Sequence, residues 1–283
     1  MGFAVAGLGD VNGDGVPDLL VGVPGKDTPG VADSQVGTAY IFSGKDGSLI
    51  RSLDFPSPGP ADAGANFGAA VANAGDINND GMSDVLIGAP RRSRAFVFNG
   101  ATGALISTIP SPVVEKLPSF GSAVAAGKDL NGDGSRDFAV GAPLLNNLHG
   151  AVFIFNGTDE TLQRTLRSPN RQAFAKFGAS ILLSADFSHD GRPDILVGAP
   201  DQDVNGLLNA GKVFIFKGAS GKLFKRVTSA MPQAFAGFGY SLGTADFGGG
   251  IQPVVGVPFQ NADLVDPHGD VMTHLEIGQI ELP

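Results

Sequence analysis

One acidic segment recurs along the chain, and each copy runs into a short apolar stretch that ends at Gly-x-Pro. The four full copies read GDVNGDGVPDLLVGVP, GDINNDGMSDVLIGAP, KDLNGDGSRDFAVGAP and ADFSHDGRPDILVGAP, at residues 9–24, 75–90, 128–143 and 185–200. A fifth copy at 245–258 keeps the frame but has lost most of the acids. The first aspartates of successive copies are 53 to 66 residues apart, so each repeat has the size of one supersecondary unit.

The remainder of each unit also repeats and has the character of β-strands. Phe-Gly opens a short apolar stretch before the acidic segment at 67, 120, 177 and 238. Another apolar stretch follows the Gly-x-Pro and ends at a glycine, and a shorter one comes after it. No segment keeps a 3.6-residue apolar period over ten residues, and the 42 glycines and 19 prolines favour turns. We therefore predict four short strands per unit and an all-β fold.

Repeated four-stranded antiparallel units predict the blades of a β-propeller. One blade cannot bury both of its faces alone, whereas blades stacked around an axis cover one another. Phenylalanine pairs recur in the third strand of the units and are predicted to pack between blades: Phe96 and Phe98, Phe153 and Phe155, Phe214 and Phe216. We expect a single propeller or a propeller fragment over 1–283, with units at approximately 1–60, 61–116, 117–172, 173–233 and 234–283, the last one degenerate.

The acidic segments place oxygen-bearing side chains at loop positions 1, 3, 5 and 9, with glycine at position 6. Calcium takes six to eight oxygen ligands, alternate residues of a tight loop converge on one point, and glycine permits the sharp bend. The carbonyl at position 7 would complete each set. The predicted ligands are Asp10, Asn12, Asp14, Val16 and Asp18; Asp76, Asn78, Asp80, Met82 and Asp84; Asp129, Asn131, Asp133, Ser135 and Asp137; and Asp186, Ser188, Asp190, Arg192 and Asp194. Because Ser188 replaces asparagine, we expect the fourth site to be weaker.

The competing interpretation of these segments is that Asn, Asp and Gly merely form turns. Four copies with a further acid in register favour calcium, because three carboxylates held close repel one another without a cation. The four sites contain 12 of the 28 acids, and four Ca²⁺ ions would take the formal charge from −9 to −1. EF-hand and dockerin-like loops are disfavoured since both need a following helix. The fifth copy lacks the acids at positions 5 and 9 and is predicted to bind no calcium.

The composition argues against several classes of function. There is no apolar run long enough for a transmembrane helix, no signal-peptide pattern, and no cysteine for disulfides or thiolate metal sites. The acidic balance is a poor match to nucleic acid. The four histidines are scattered, and neither a nucleophile elbow nor a carboxylate pair outside the acidic segments is present. We therefore predict no catalytic site.

Phe-Gly, the acidic loop and Gly-Ala-Pro occur in one order, as in Phe67-Gly68, Asp76 to Asp84 and Gly88-Ala89-Pro90. The chain thereby resembles the FG-GAP repeat proteins, namely the N-terminal β-propeller of integrin α subunits and its prokaryotic relatives. The resemblance covers essentially the whole chain, weakly after about residue 245, although five units fall short of the family's usual seven blades. It implies calcium loops on a lower face and ligand-contacting loops on an upper face. Those upper loops correspond to residues 25–36, 54–66, 91–94, 110–119, 144–149, 168–176, 201–210, 229–237 and 259–268.

The resemblance implies adhesion, or recognition of an extracellular protein or glycan, rather than catalysis. We expect about four structural Ca²⁺ sites, an extracellular or cell-surface location, and a ligand on the face opposite the calcium loops. The alternative is the scaffold or accessory domain of a secreted polysaccharide-active enzyme. A complete reading frame would discriminate, because an attached catalytic domain favours the enzyme and a surface anchor favours adhesion.

Three features lie outside this scheme. The basic run Arg91-Arg92-Ser93-Arg94 is either a solvated turn or an anchor for an acidic partner. The triplet Asn156-Gly157-Thr158 matches an N-glycosylation sequon, but we favour a tight hairpin turn there. His149 falls in a proposed upper loop and His189 at a non-ligand position of the fourth acidic segment.

Overall fold

The computed structural model describes residues 2–27, 35–56, 58–246, 248 and 250–259. Over these residues the chain forms four antiparallel sheets of four strands, here called blades one to four, and a fifth sheet of two strands. Strands pair in chain order within every sheet.

The first blade contains β1 (Ala4–Gly7), β2 (Leu19–Val23), β3 (Thr38–Phe42) and β4 (Leu49–Asp54). The second contains β5 (Ala70–Gly75), β6 (Asp84–Ala89), β7 (Arg94–Phe98) and β8 (Leu105–Pro110). The third contains β9 (Ala123–Lys128), β10 (Asp137–Ala142), β11 (Ala151–Phe155) and β12 (Leu162–Leu166). The fourth contains β13 (Ser180–Leu183), β14 (Ile195–Ala199), β15 (Lys212–Phe216) and β16 (Leu223–Val227), and the fifth sheet contains β17 (Ser241–Asp246) and β18 (Ile251–Gly256).

The central strands of blades two to four are buried on both faces, which is why they are apolar runs rather than alternating ones. Every residue of β6 and of β10 is buried, and so is every residue of β11. The outermost strands, such as β8, are largely exposed and more polar. A sheet covered on both faces places alternate side chains into two different interfaces.

The hydrophobic core lies between successive blades. Val85 and Ile87 of β6 cluster with Leu20 and Ile41 of the first blade. Leu86, which points the other way, clusters with the third blade. The predicted phenylalanine pairs occupy the same interfaces, each facing the preceding blade. The prediction that these pairs pack between blades is therefore confirmed.

Two glycines per unit bring neighbouring blades into backbone contact. Gly68 of the Phe-Gly pair has φ +86° and donates its N–H to the carbonyl of Gly88 at 3.0 Å. Its own carbonyl lies so close to Gly22 of the preceding blade that a Cβ there would sit 2.0 Å away. The same contact joins Gly88 to Gly121, Gly141 to Gly178, and Gly198 to Gly239. The recurring glycines are therefore required by the approach of one blade to the next.

Several details differ from the sequence expectations. A 3₁₀ turn forms at Pro90–Arg92 and Arg94 already belongs to β7, so the predicted loop 91–94 is shorter than expected. Residues Leu145–Leu148 form one irregular helical turn within the loop between β10 and β11. The described residues end at 259. The remainder of the predicted upper loop 259–268 and of the fifth unit therefore lies outside them. No described helix has the length and apolarity needed to cross a membrane.

The all-β prediction is confirmed, and the stacked antiparallel sheets are the blades of a β-propeller. Each acidic segment joins the first strand of a blade to the second. All four therefore lie at the same end of their sheets. The loops after the second and fourth strands lie at the opposite end.

Candidate functional site

The four acidic loops, residues 10–18, 76–84, 129–137 and 186–194, share one hydrogen-bond frame. In every loop the carboxylate at position 1 accepts the N–H of the glycine at position 6. These bonds run from Gly15 to Asp10 at 2.7 Å, Gly81 to Asp76 at 2.9 Å, Gly134 to Asp129 at 3.1 Å and Gly191 to Asp186 at 2.7 Å. The N–H of Gly15 is the largest cause holding the pKa of Asp10 below its ordinary value. The first acid of each loop thus closes the loop on itself.

The residues at positions 3, 5 and 7 continue the frame. In the first loop the Asn12 amide donates to Asp14 at 3.0 Å, and Asp14 accepts the N–H of Val16 at 2.9 Å. The second and third loops repeat both bonds with their own residues. In the fourth loop the Arg192 N–H donates to Asp190 at 3.2 Å, while Ser188 turns to the acids on either side of it. The carbonyl role predicted for position 7 stays a prediction.

Position 4 is a conformational requirement that the sequence interpretation missed. Gly13, Asn79, Gly132 and His189 all have positive φ, between 53° and 86°. Glycine, asparagine and histidine are among the residues that adopt this backbone most readily. His189 is therefore explained by the backbone conformation that position 4 requires, and position 4 is not one of the predicted ligand positions.

The acid at position 9 is buried at the base of each loop. Asp84 is fully buried, and its Oδ2 accepts the N–H groups of Ile77 at 2.9 Å and Asn78 at 3.2 Å. Asp18, Asp137 and Asp194 are buried in the same way. Burial is the largest cause that raises the pKa of Asp84, and it raises the pKa of Asp137 and Asp194 likewise. A nearby cation would stabilise the ionised form of such a buried carboxyl and lower its pKa.

Two observations fit a hard cation in these loops. Oδ1 of Asp84 is buried and has no hydrogen-bond partner among the described residues, and a buried polar atom of this kind is satisfied in proteins by a water molecule or an ion. In the fourth loop, carboxylate oxygens of Asp186, Asp190 and Asp194 lie within 4.8 Å of one another. Among the residues that the structure describes, this is the one group of three acids so close together. All of these donors are oxygens, the ligands that Ca²⁺ and Mg²⁺ prefer.

A row of turn residues, unnoticed in the sequence, reaches into the loops from the third strands. Each is the first residue after its third strand, and each contacts the position-5 carboxylate of its own blade. The pairs are Ser43 with Asp14, Asn99 with Asp80, Asn156 with Asp133, and Lys217 with Asp190. The signal was available in the sequence as the residue before the glycine that ends each third strand, at 43, 99, 156 and 217.

Other singled-out residues have structural partners. Arg92 pairs with Asp62 at 3.3 Å and donates to the Ala63 carbonyl at 2.9 Å, so it is not free to anchor a ligand. The Asn156 side chain is engaged with Asp133 and also accepts the Thr158 N–H at 2.7 Å, as a hairpin turn requires. Arg192 reaches from the fourth loop to Asp129 of the third at 3.8 Å, so neighbouring acidic loops lie side by side.

Comparison with known proteins identifies the family. The FG-GAP repeat profile matches residues 1–42, 67–105, 120–155 and 177–216, more than half of the chain. Integrin alpha-4 of Xenopus laevis is 31% identical over 229 residues, which is 76% of this chain and 21% of that protein. Integrin alpha-5 of Xenopus laevis is 32% identical over 77% of this chain and 21% of its own length. Integrin alpha-V of Gallus gallus is 32% identical over 70% of this chain and 20% of its own length.

The chain thus spans about a fifth of the length of these relatives. Among solved structures, Sqt1 of Saccharomyces cerevisiae is similar with a TM-score of 0.56, at 11% identity, over 89% of this chain and 55% of that one. This likeness concerns the fold alone. The chain belongs to the FG-GAP repeat family and is an integrin-α-like member of it.

Proposed function

We propose that this chain is a non-catalytic, calcium-binding β-propeller that recognises an extracellular protein or glycan. The observation that carries the proposal is the acidic loop itself, repeated four times at one end of the blades with the same hydrogen-bond frame and the same buried aspartate. Membership of the FG-GAP family and similarity to integrin α subunits support a role in recognition or adhesion.

In this proposal each loop holds one Ca²⁺ through the side chains at positions 1, 3, 5 and 9 and the carbonyl at position 7. The cation would offset two of the three negative charges and satisfy buried oxygens such as Oδ1 of Asp84. Its role is structural, because the same acids also accept the N–H groups that shape the loop. Loops this open are suited to the high calcium concentration outside cells, which supports an extracellular or cell-surface location.

The alternative, an accessory domain of a secreted polysaccharide-active enzyme, would use the same calcium loops and differ only in what the opposite face binds. Assaying the immobilised chain against extracellular-matrix proteins and polysaccharides, with and without calcium, separates the two. Binding to matrix protein supports recognition or adhesion. Binding confined to a polysaccharide that a linked enzyme degrades supports the alternative.

Calorimetric titration of the metal-stripped chain with Ca²⁺ tests the metal assignment. We expect about four sites and a melting temperature that rises with occupancy. At a free calcium concentration 100 times Kd, one site adds about 2.7 kcal/mol to the free energy of unfolding.

Asp84→Asn is the matched variant for this titration, because it keeps the side-chain shape and removes one predicted ligand. It should lower the stoichiometry by one and leave the other loops able to bind. An unchanged stoichiometry would remove Asp84 from the site, and a wild-type chain that neither binds nor is stabilised by calcium would refute the metal assignment.

A further inference from the structure

A cavity of about 740 Å³ opens at the end of the blades opposite the acidic loops. It lies between the loops that follow β8, β10 and β12. The first contributes Lys116 and Leu117, the second His149, and the third Arg167 and Arg171. We call this cavity the basic pocket.

The basic pocket is lined by cations that lack internal partners. Among the described residues, the side chains of Lys116, Arg167 and Arg171 form no ion pair and no hydrogen bond. Within the part of the chain that the structure describes, no acidic residue lines the pocket. The nearest acid in sequence, Glu115, is occupied in accepting the N–H and hydroxyl of Ser119 at 2.8 and 2.9 Å. In a chain of formal charge −9, three adjacent uncompensated cations produce a local positive field that attracts an anion.

The pocket also has an apolar rim and a strained wall. Val114 is 98% exposed and Leu117 52% exposed, so both offer aliphatic surface to a ligand. The wall after β10 holds three successive residues with positive φ, at 146, 147 and 148, with values of 53°, 57° and 64°. Asn146 and Asn147 adopt this backbone readily, but it is costly for Leu148, and strained backbone is found preferentially at binding sites.

We propose that the basic pocket binds an acidic peptide segment in which carboxylate side chains alternate with aliphatic ones. The carboxylates would pair with the guanidinium groups of Arg167 and Arg171, which bind such planar anions in a bidentate manner. The aliphatic side chains would cover Val114 and Leu117. An anionic polysaccharide fits less well, because it has no aliphatic side chains to cover Val114 and Leu117. The inference rests on the proposed role in recognition and does not require calcium.

Fluorescence anisotropy of a labelled Glu-Leu-Glu-Leu-Glu-Leu peptide, titrated with the whole chain in saturating calcium, tests the proposal. We expect saturable binding that weakens with added salt and is lost for the Gln-Leu peptide of the same length. Arg167→Gln combined with Arg171→Gln should weaken binding at least about tenfold, since hydrogen bonds between charged groups are the strong ones. Both arginines are exposed, so the melting temperature should not change.

The control combines Lys45→Gln with Lys222→Gln, which removes the same charge from exposed turns at the acidic-loop end. It should leave the affinity within about twofold, because strands of five residues, about 17 Å long, separate these sites from the pocket, and the Debye length is about 8–10 Å. Equal binding of the Glu and Gln peptides, or equal loss in both double variants, would overturn the proposal. Tighter binding of a heparin oligosaccharide that depends on Arg167 and Arg171 would overturn it in favour of a glycan.

A melting curve with and without calcium on the same preparation separates this inference from the proposed function. A chain that calcium stabilises but that does not bind the peptide refutes the basic pocket alone. A chain that binds the peptide through Arg167 and Arg171 but gains no stability from calcium refutes the calcium assignment and leaves the pocket in place.

Discussion

The turn residue that contacts the position-5 carboxylate is different in the fourth blade. The residue that follows the third strand is serine or asparagine in blades one to three, and it is Lys217 in blade four. The Lys217 ammonium lies 3.6 Å from Asp190 and 5.8 Å from the centre of the Phe224 ring. A cation thus already sits beside one of the three converging carboxylates, and any metal must compete with it. This contact gives a physical reason, besides Ser188, to expect a weaker fourth site.

Lys217→Asn, which installs the residue found in blades two and three, is expected to strengthen calcium binding at the fourth loop. The substitution removes the ion pair with Asp190 and the repulsion between the lysine ammonium and the metal. Because the ion pair is partly exposed, the calcium affinity of that site should rise about two- to fivefold. Calorimetry would resolve it as a change in the weakest of the sites. Lys222→Gln, in the same turn, is the control and should leave every site unchanged. Weaker calcium binding in Lys217→Asn would show that the lysine supports the loop instead.

At the scale of the elements, the close glycine contacts determine how one blade packs on the next. Gly141 of β10 lies against the backbone of Gly178, which opens the following blade. A Cβ at Gly141 would meet the Gly178 carbonyl at 2.2 Å, and backbone cannot move aside as a flexible side chain can. Gly178 cannot move away easily, because the residue before it, Phe177, is fully buried against Phe214 and Phe216 of its own blade.

Gly141→Ala is therefore expected to lower the free energy of unfolding by about 2–3 kcal/mol, the cost of an added methyl group in a closely packed core. Denaturant unfolding in saturating calcium would measure it. Gly7→Ala in β1 is the matched control, because a Cβ there meets nothing within 4 Å. Equal stability of Gly141→Ala and Gly7→Ala would show that the blades can separate slightly without cost.

At the scale of the whole molecule, charge is divided between the two ends of the blades. Twelve of the 28 acids lie in the acidic loops, and the basic pocket lies at the other end. Three acids at the base of the loops, Asp84, Asp137 and Asp194, have a raised pKa because burial disfavours their ionised form. Ionising these three buried carboxyls destabilises the metal-free folded state. In the unfolded chain the same carboxyls ionise without that cost.

The metal-free chain is therefore expected to lose stability as the pH rises above the ordinary aspartate pKa of 3.8. An acid whose folded pKa is raised contributes stability that is full below the unfolded pKa and is lost as the pH rises through the folded pKa. Asp10 and Asp133 are examples of acids whose folded pKa is lowered. They reduce the stability only as the pH falls below about 3.8, so they do not oppose this trend.

Melting temperatures of the metal-free chain from about pH 4 to about pH 7 would measure the effect. Calcium bound as proposed would favour the ionised acids, so the decline should become shallower when calcium is present. A metal-free chain whose stability rises over this range would contradict the buried state of these three carboxyls. The variant Asp84→Asn, with one of the three removed, should show a smaller decline.

The sequence by itself determined the repeat, the four strands per blade and the residues of the acidic loops. Each of these depends on local chemistry: apolar runs form strands, glycine after an aspartate permits a tight turn, and oxygen ligands recur at alternate positions. The family resemblance followed from the same residues because Phe-Gly and Gly-x-Pro bracket the loop in the second, third and fourth copies.

Only the tertiary structure showed the contacts between segments distant in the chain. Asn99 meets Asp80 across 19 residues, and Arg92 is bound to Asp62 instead of standing free as an anchor. Lys116 is about 50 residues from Arg167 and Arg171, and the three share one pocket because the loops after β8 and β12 meet at the same face. Periodicity and turn chemistry are short-range properties. The pairing of side chains across blades depends on how the sheets stack, which no single segment encodes.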